Sequence, residues 1–431
     1  MNKSVFKAIG PGILFASTAI GVSHLVQCTR AGASYGFALV WAVILANLFK
    51  FPFFQYATRY ANATGTSIID GYKRMGKWML WLYFIITIST MFFVSSAVGV
   101  VTSGFLDNLF HLTPLLESLG FEYARLATPS ILFLVCTGIL VLGKYKILDS
   151  LIKIIAAVLL LSTVIAFCLA LMYKNDLSAE AFVLIDWEAL GNGGTFAFTV
   201  ALMGWMPTAL DLSAWNSLWT VERIKQTGYH PTLKESLFDF NFGYISSAIL
   251  ALIFVALGAF LMYGTGEKLS DNGIAFGQQV IRMYTEAIGS WSYIVIAIAV
   301  FSIMFGTLIA VLDGYGRSIT RIMELLRNQE KVKKTSYVSS ILVLSSVSFV
   351  IMYWFVYQKN AQGFKPLIDF TTIFSFLVAP IIAIVNFRLM HQKYVGKEAV
   401  PPRWLKILSY TGIIFLVVFA GMMIHQLLVQ P

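Results

Sequence analysis

The chain has 431 residues, of which 58% are hydrophobic and 12% are charged, and its mean hydropathy is +0.77. An average soluble domain carries about 25% charged residues, so this composition excludes a soluble globule and indicates a polytopic α-helical membrane protein. The net charge of +10 could suggest nucleic-acid binding, but its distribution along the chain argues against that class of partner.

Eleven apolar segments approach the twenty or so residues that a hydrocarbon core of about 30 Å requires. The predicted spans are about 10–29, 38–58, 78–106, 127–143, 150–172, 194–218, 241–263, 289–312, 338–357, 366–388 and 406–428. The first segment follows Lys3 and Lys7 as a secretory signal would, but it continues to Gln27 and therefore predicts an uncleaved span. No loop is long enough for a core of its own, so we expect a single transmembrane domain over 1–431.

The basic residues predict an orientation in the cytoplasmic membrane. With a cytoplasmic N-terminus and an external C-terminus, 22 of the 31 lysines and arginines fall on the cytoplasmic side and seven on the outer side. The remaining two, Lys50 and Lys153, lie within spans. This asymmetry is the positive-inside pattern, and it explains the basic charge as membrane topology.

The spans divide into two sets of five and an extra helix. Repeat one covers about 10–172, repeat two covers about 194–388, and the extra helix covers about 406–428. Because five is odd, the second set starts from the opposite side of the membrane. This is the inverted repeat found in many secondary transporters, whose substrate sites lie between broken helices at matching positions.

The first span of each repeat is interrupted. The stretch Gly21–His24 (GVSH) breaks the first apolar segment, and Gly204–Thr208 (GWMPT) breaks the sixth about 180 residues later. Pro207 removes an amide and clashes with the carbonyl of Met203, which frees backbone acceptors near that residue. Freed carbonyls attract cations and half-helix N-termini attract anions, so the backbone alone allows either charge of substrate. The alternative is a proline kink without a ligand.

Three side chains near the breaks could bind a metal ion. His24 lies deep in the first span, where an ionisable group is a functional candidate, although a lone histidine is often a packed hydrogen-bonding residue. Met206 offers a soft thioether ligand or fills a gap in the core. Asp211 shares a helix face with Thr208 and must be paired, hydrated or neutral within the membrane. The predicted substrate-binding residues are Gly21, Ser23, His24, Gly204, Met206, Thr208 and Asp211, with Gly21 and Pro207 as the helix breakers.

Several signals of other functions are missing from the sequence. It contains no GxxxxGK[ST] nucleotide loop, no arginine-rich voltage-sensor helix, no TVGYG filter and no catalytic constellation. The three cysteines, Cys28, Cys136 and Cys168, lie in apolar segments and are interpreted as packed thiols. We therefore predict neither an enzyme nor a bound cofactor.

Several stretches resemble the Nramp family of divalent-metal transporters along nearly the whole chain. They are GPGILFA, RAGASYGF and VWAVILANLFK in the first two spans, the Trp205–Thr208 region, and TLIAVLDGYGR at the end of the eighth span. The resemblance implies an all-α fold with the LeuT-type inverted repeat of 5+5 helices, to which this chain adds an eleventh helix.

The resemblance also shows departures from the family pattern. The first break of the family usually reads Asp-Pro-Gly-Asn, whose Asp and Asn bind the metal, and the matching positions here are Gly21–His24. The sixth helix usually reads Met-Pro-His; Met206 and Pro207 match, while Thr208 occupies the histidine position. The third helix usually carries an Asp and a Glu tied to proton movement, and the matching stretch Ser89–Val94 has neither. The chain therefore resembles a divergent branch of the family.

These patterns favour a secondary transporter that moves a divalent metal cation by alternating access, with altered selectivity and without the usual proton coupling. Its metal ligands would be Met206, His24 and Asp211. One alternative is transport of a small organic solute such as an amino acid or an amine, because the carboxylate of the first break is missing. Another is a non-transporting membrane sensor. The predicted partners are the substrate and the lipid bilayer, and the sequence predicts neither the oligomeric state nor the coupling ion.

Overall fold

The computed structural model describes residues 10–143, 160–171, 178–329, 334–357 and 363–429, and within these ranges the regular structure is entirely helical. Its α-helices are α1 (Pro11–Ala19), α2 (Thr29–Tyr35), α3 (Val40–Thr64), α4 (Ile68–Met75), α5 (Lys77–Phe110), α6 (Leu112–Ser118), α7 (Ala124–Leu142), α8 (Leu160–Ala170), α9 (Trp187–Gly191), α10 (Gly193–Gly204), α11 (Ser213–Thr227), α12 (Leu233–Met262), α13 (Gly273–Ile288), α14 (Tyr293–Leu326), α15 (Lys334–Met352), α16 (Phe364–Leu389), α17 (Gln392–Val395) and α18 (Arg403–Val429).

The predicted multi-pass helical membrane protein is confirmed. In the described part of the chain, eight helices are long and apolar enough to cross a membrane, and the bent pair α1 and α2 makes a ninth span. The sixth predicted span is built from two shorter helices, α10 and α11. The first part of the fifth predicted span and its last residue lie outside the described residues, and α8 forms most of its described part.

Helix α13 is an element that the hydropathy pattern does not predict. It lies between the seventh and eighth predicted spans and begins at Asn272, whose side chain accepts hydrogen bonds from the amides of Ile274 and Ala275 at 2.9 and 3.2 Å. Such capping stabilises a helix start. Because the helix buries only one face, it lacks the continuous apolar run by which spans are recognised.

The first broken span packs very closely against α12. A Cβ atom built on Gly32 would lie 1.9 Å from the carbonyl oxygen of Val255, and one on Gly258 would lie 2.4 Å from that of Thr29. At the other end of the span, a Cβ on Gly12 would lie 2.0 Å from the carbonyl oxygen of Asp239. Small residues let membrane helices approach closely in this way, and here they place both halves of the broken span against the same helix, α12.

We expect Gly32→Ala to destabilise the protein by about 1–3 kcal/mol, because the added methyl group overpacks a backbone contact. The measurement is thermal unfolding of the purified protein in detergent. Gly421→Ala is the matched control, since a Cβ at that helical position would have no neighbouring atom within 4 Å. Equal melting temperatures for the two variants would contradict the close contact between α2 and α12.

Candidate functional site

The first break follows α1. This helix ends at Ala19, a π-helical turn covers Ser23–Cys28, and the axes of Pro11–Ala19 and Ser23–Tyr35 differ by 41°. Gly21 lies against α14, because a Cβ at this position would be 2.8 Å from Cγ2 of Thr307. The glycine therefore lets the interrupted backbone approach the eighth span closely.

The second break follows α10, which ends at Gly204. Residues 205–209 leave the helix, the Met206–Pro207 peptide bond is cis, and a short 3₁₀ turn at Leu210–Leu212 leads into α11. A Cβ on Gly204 would lie 2.0 Å from the carbonyl oxygen of Thr372, so the end of α10 is packed tightly on α16. This contact fixes where the backbone unwinds.

The two breaks are in direct contact. The hydroxyl oxygen of Ser23 lies 3.2 Å from the carbonyl oxygen of Pro207, and also 2.7 Å from that of Ala19. Beside this contact is a cavity of about 20 Å³, which is room for about one water molecule. Hydroxyl groups and an indole provide its polar lining, and aliphatic side chains provide the rest. Its lining residues are Thr18, Ala19, Val22, Ser23, Val94, Val98, Trp205, Thr208, Leu212, Thr307 and Val311.

Lys50 of α3 reaches the second break and is completely buried. Its ammonium group donates hydrogen bonds to the carbonyl oxygens of Met203 at 2.6 Å and Gly204 at 2.8 Å, and lies 3.5 Å from that of Thr208. The freed carbonyls expected at this break therefore accept hydrogen bonds from a side chain of the protein. We did not predict this role for Lys50, although a lysine inside a predicted span is a candidate for a functional contact.

Asp211 is buried and faces α5 and α14. Its Oδ2 accepts a hydrogen bond from the hydroxyl of Thr90 at 2.9 Å and lies 3.5 Å from that of Tyr315. Its Oδ1 is buried and has no hydrogen-bond partner among the described residues. The third span thus contacts the carboxylate through Thr90, which lies within the stretch that lacks the acids of the resemblance.

His24 faces α12 and lies next to Ser23. Its Nε2 donates to the carbonyl oxygen of Ser247 at 2.9 Å, and its Nδ1 lies 2.8 Å from the hydroxyl oxygen of Ser23. Both ring nitrogens therefore contact protein atoms, and binding a metal would require one of these contacts to break. Met206 is completely buried and does not line the cavity. In the described part of the chain, no three His, Cys, Asp or Glu side chains lie close enough together to hold a metal ion.

At each end of the bundle, polar contacts tie the first broken span to another helix. At the end where the chain begins, Asp239 accepts hydrogen bonds from the amides of Gly10 and Gly12 at 3.1 and 2.6 Å. A carboxylate is favourable at such a helix N-terminus. At the opposite end, Arg30 donates two hydrogen bonds to Asp369 of α16, at 2.7 and 3.0 Å. The Arg30 guanidinium also lies 4.7 Å from the ring centre of Phe198.

Two solved structures share this arrangement of helices. A mutant of the manganese transporter of Eremococcus coleocola superposes with a TM-score of 0.71 at 14% identity, covering 96% of this chain and 85% of that one. The structure of MhsT in complex with L-phenylalanine superposes with a TM-score of 0.67 at 13% identity, covering 96% and 98%. These matches confirm the predicted LeuT-type fold.

Sequence comparisons cover nearly the whole chain. Protein PM0681 of Pasteurella multocida is 35% identical over 426 residues, covering 98% of this chain and 93% of the relative. The divalent metal cation transporter MntH of Pediococcus pentosaceus is 21% identical over 439 residues, covering 99% and 93%. Residues 12–426 match the family described as natural resistance-associated macrophage protein-like, Nramp. The chain therefore belongs to the Nramp family, as the sequence motifs predicted.

Proposed function

We propose that this protein is a secondary transporter that moves a divalent metal cation across the cytoplasmic membrane by alternating access. The observation that carries the proposal is the contact between the two helix breaks, beside a small cavity, in a member of the Nramp family. The relative from Pediococcus pentosaceus, named as a divalent metal cation transporter, supports the same class of substrate.

The cation would bind between the breaks, at the hydroxyl oxygens of the cavity lining, with the sulfur atom of Met206 as a further ligand. Ser23 and Thr208 line the cavity with hydroxyl oxygens, and Met206 holds the soft thioether in the same unwound segment. Asp211 supplies the nearby carboxylate, whose Oδ1 is free of partners among the described residues. Divalent ions such as Mg²⁺ and Mn²⁺ prefer oxygen ligands. His24 stays a predicted ligand that would exchange its contact with Ser23 for the metal.

The ion selectivity and the proton coupling of this transporter would differ from those that the usual Nramp motifs imply. Among the described residues, no carboxylate lines the cavity, and Thr90 occupies a stretch where the family carries acids tied to proton movement. A carboxylate about 4 Å from a divalent ion contributes roughly 8 kcal/mol at an effective dielectric constant of about 20. Without a carboxylate in the cavity lining, we expect weaker binding of the divalent ion. Without acids in the matching stretch of the third span, we expect no proton relay along that span.

The specific observation that favours a second candidate is the neutral lining of the cavity. Hydroxyl groups and the indole of Trp205, held by its hydrogen bond to Ser375 at 2.9 Å, suit a small organic solute such as an amino acid or an amine. A cavity of about 20 Å³ is smaller than any such solute, so this substrate would enter only after one end of the bundle opens.

Alternating access requires each closed end to open in turn. The ion pair of Arg30 and Asp369 joins α2 to α16 above the cavity, and the contacts of Asp239 close the opposite end. By the positive-inside pattern, the Arg30 end faces outward and the chain begins in the cytoplasm. Separating α2 from α16 would then open the path from outside.

We expect purified protein in liposomes to take up Mn²⁺ or Mg²⁺, and Asp211→Asn to reduce that uptake at least tenfold, because the variant removes the buried anionic charge. Asp271→Asn is the matched control, since Asp271 forms an exposed ion pair with Lys365. Absence of uptake of both ions, together with absence of metal binding in calorimetry, would rule out the metal substrate.

For the organic substrate, we expect a thermal-shift screen of amino acids and amines to find a compound that stabilises the wild-type protein. Thr208→Asp should abolish this stabilisation, because it places a charge in the neutral lining of the cavity. Stabilisation by metal ions alone would exclude this second candidate.

The ion pair of Arg30 and Asp369 at the outer end can be tested by labelling a cysteine in the cavity. In a Thr208→Cys variant that lacks Cys28, Cys136 and Cys168, we expect Arg30→Gln to speed labelling by a membrane-impermeant thiol reagent roughly 3–10-fold. The reason is that a lost interaction of about 1 kcal/mol shifts the population toward the open state by that factor. Arg282→Gln, which breaks an exposed pair with Glu267, is the control. Unchanged labelling with Arg30→Gln would show that the pair does not close the path.

A further inference from the structure

The ammonium group of Lys50 lies in an environment that the proposed function does not explain. Lys50 comes from α3, more than 150 residues before its partners, and its side chain is completely buried. The nitrogen donates to Met203 and Gly204 at 2.6 and 2.8 Å and lies 3.5 Å from the carbonyl oxygen of Thr208. An ammonium group has three N–H donors and no acceptor, so these three carbonyl oxygens match its whole donor capacity.

These carbonyls lack their ordinary helical donors because the helix ends at this point. In a continuous helix, the carbonyl of Met203 would accept a hydrogen bond from the amide of residue 207, but Pro207 has no amide hydrogen, and the amide of Met206 donates to this carbonyl at 3.3 Å instead. The carbonyl of Gly204 belongs to the last residue of α10 and lacks a helical donor as well. Carbonyls of interrupted membrane helices are the groups that coordinate cations in transporters.

Two further groups complete a cation-binding environment. The ring centre of Phe376 lies 5.9 Å from the nitrogen of Lys50 and presents a π system to the charge. The buried carboxylate of Asp211 lies close enough to act electrostatically on the ammonium group. Three carbonyl oxygens, one aromatic ring and one carboxylate describe a site for a small monovalent cation, and here a covalently attached ammonium group fills it.

We propose that the carbonyls of Met203, Gly204 and Thr208 form a cation cage that Lys50 fills as a tethered ammonium ion. While Lys50 fills the cage, the cage needs no free ion from solution. When the side chain is removed, the vacated cage would take a small ammonium ion, and an alkali cation more weakly because it makes no hydrogen bonds. This inference goes beyond the proposed function, since it assigns the cage to the protein and not to the substrate.

The test is chemical rescue of Lys50→Ala in detergent, followed by the melting temperature. The variant removes the side-chain donor from the carbonyl oxygens, and we expect the melting temperature to fall by on the order of 5 °C or more. About 100 mM methylammonium chloride should restore at least half of this loss, because a ligand of the native state stabilises it. Tetramethylammonium chloride at the same ionic strength has no N–H donor and should restore none. Wild-type protein should respond equally to the two salts, since its cage is filled.

The matched control is Phe54→Ala, which removes another completely buried side chain from the same helix. It should melt at a lower temperature than the wild-type protein without selective rescue by methylammonium. Equal effects of the two salts on Lys50→Ala would overturn the proposal.

If Lys50→Ala cannot be purified in either salt, the Lys50→Gln variant provides the test, because its amide donates hydrogen bonds without carrying a charge. A melting temperature of Lys50→Gln below that of Lys50→Arg would support the cage. A melting temperature of Lys50→Gln equal to that of the wild-type protein would overturn it. Neither outcome depends on which substrate is transported.

Discussion

Backbone carbonyls that lose their helical donors inside a membrane must find other partners, because hydrocarbon offers none. This constraint is strongest at the second break, where α10 ends at Gly204 in the middle of the sixth predicted span. The side chain of Lys50 meets it with hydrogen bonds to Met203 and Gly204. The unwound segment is therefore stabilised by a residue of another span, and its position depends on the packing of α3 beside it.

The first break satisfies the same constraint in a different way. A π-helical turn continues the hydrogen bonding through Ser23–Cys28, and the hydroxyl of Ser23 lies near the carbonyl oxygens of Ala19 and Pro207. His24 joins this turn to the carbonyl of Ser247 on α12. Because Gly12 and Gly32 bring both halves of the span against α12, this helix supports the first break, while α16 supports the second through the contact at Gly204.

The fold and the positions of both breaks could be predicted from local features. Long apolar runs predict spans, and Pro207 removes a helical donor wherever it occurs. The role of Lys50 could not be predicted in this way, because it depends on contact with residues more than 150 positions away. The same holds for Asp369, whose pairing with Arg30 depends on α16 packing beside α2. For His24, the sequence places the residue in the break, but the packing of α12 decides which group its Nε2 contacts.

The missing carboxylate of the first break and the buried ammonium of Lys50 act on a divalent ion in the same direction. A positive charge about 4 Å from such an ion repels it by roughly 8 kcal/mol at an effective dielectric constant of about 20, as much as a carboxylate at that distance would attract it. A divalent ion between the breaks and the ammonium group of Lys50 would therefore repel each other, and the carbonyls of Met203 and Gly204, which already accept hydrogen bonds from Lys50, are not available to such an ion while Lys50 stays in place.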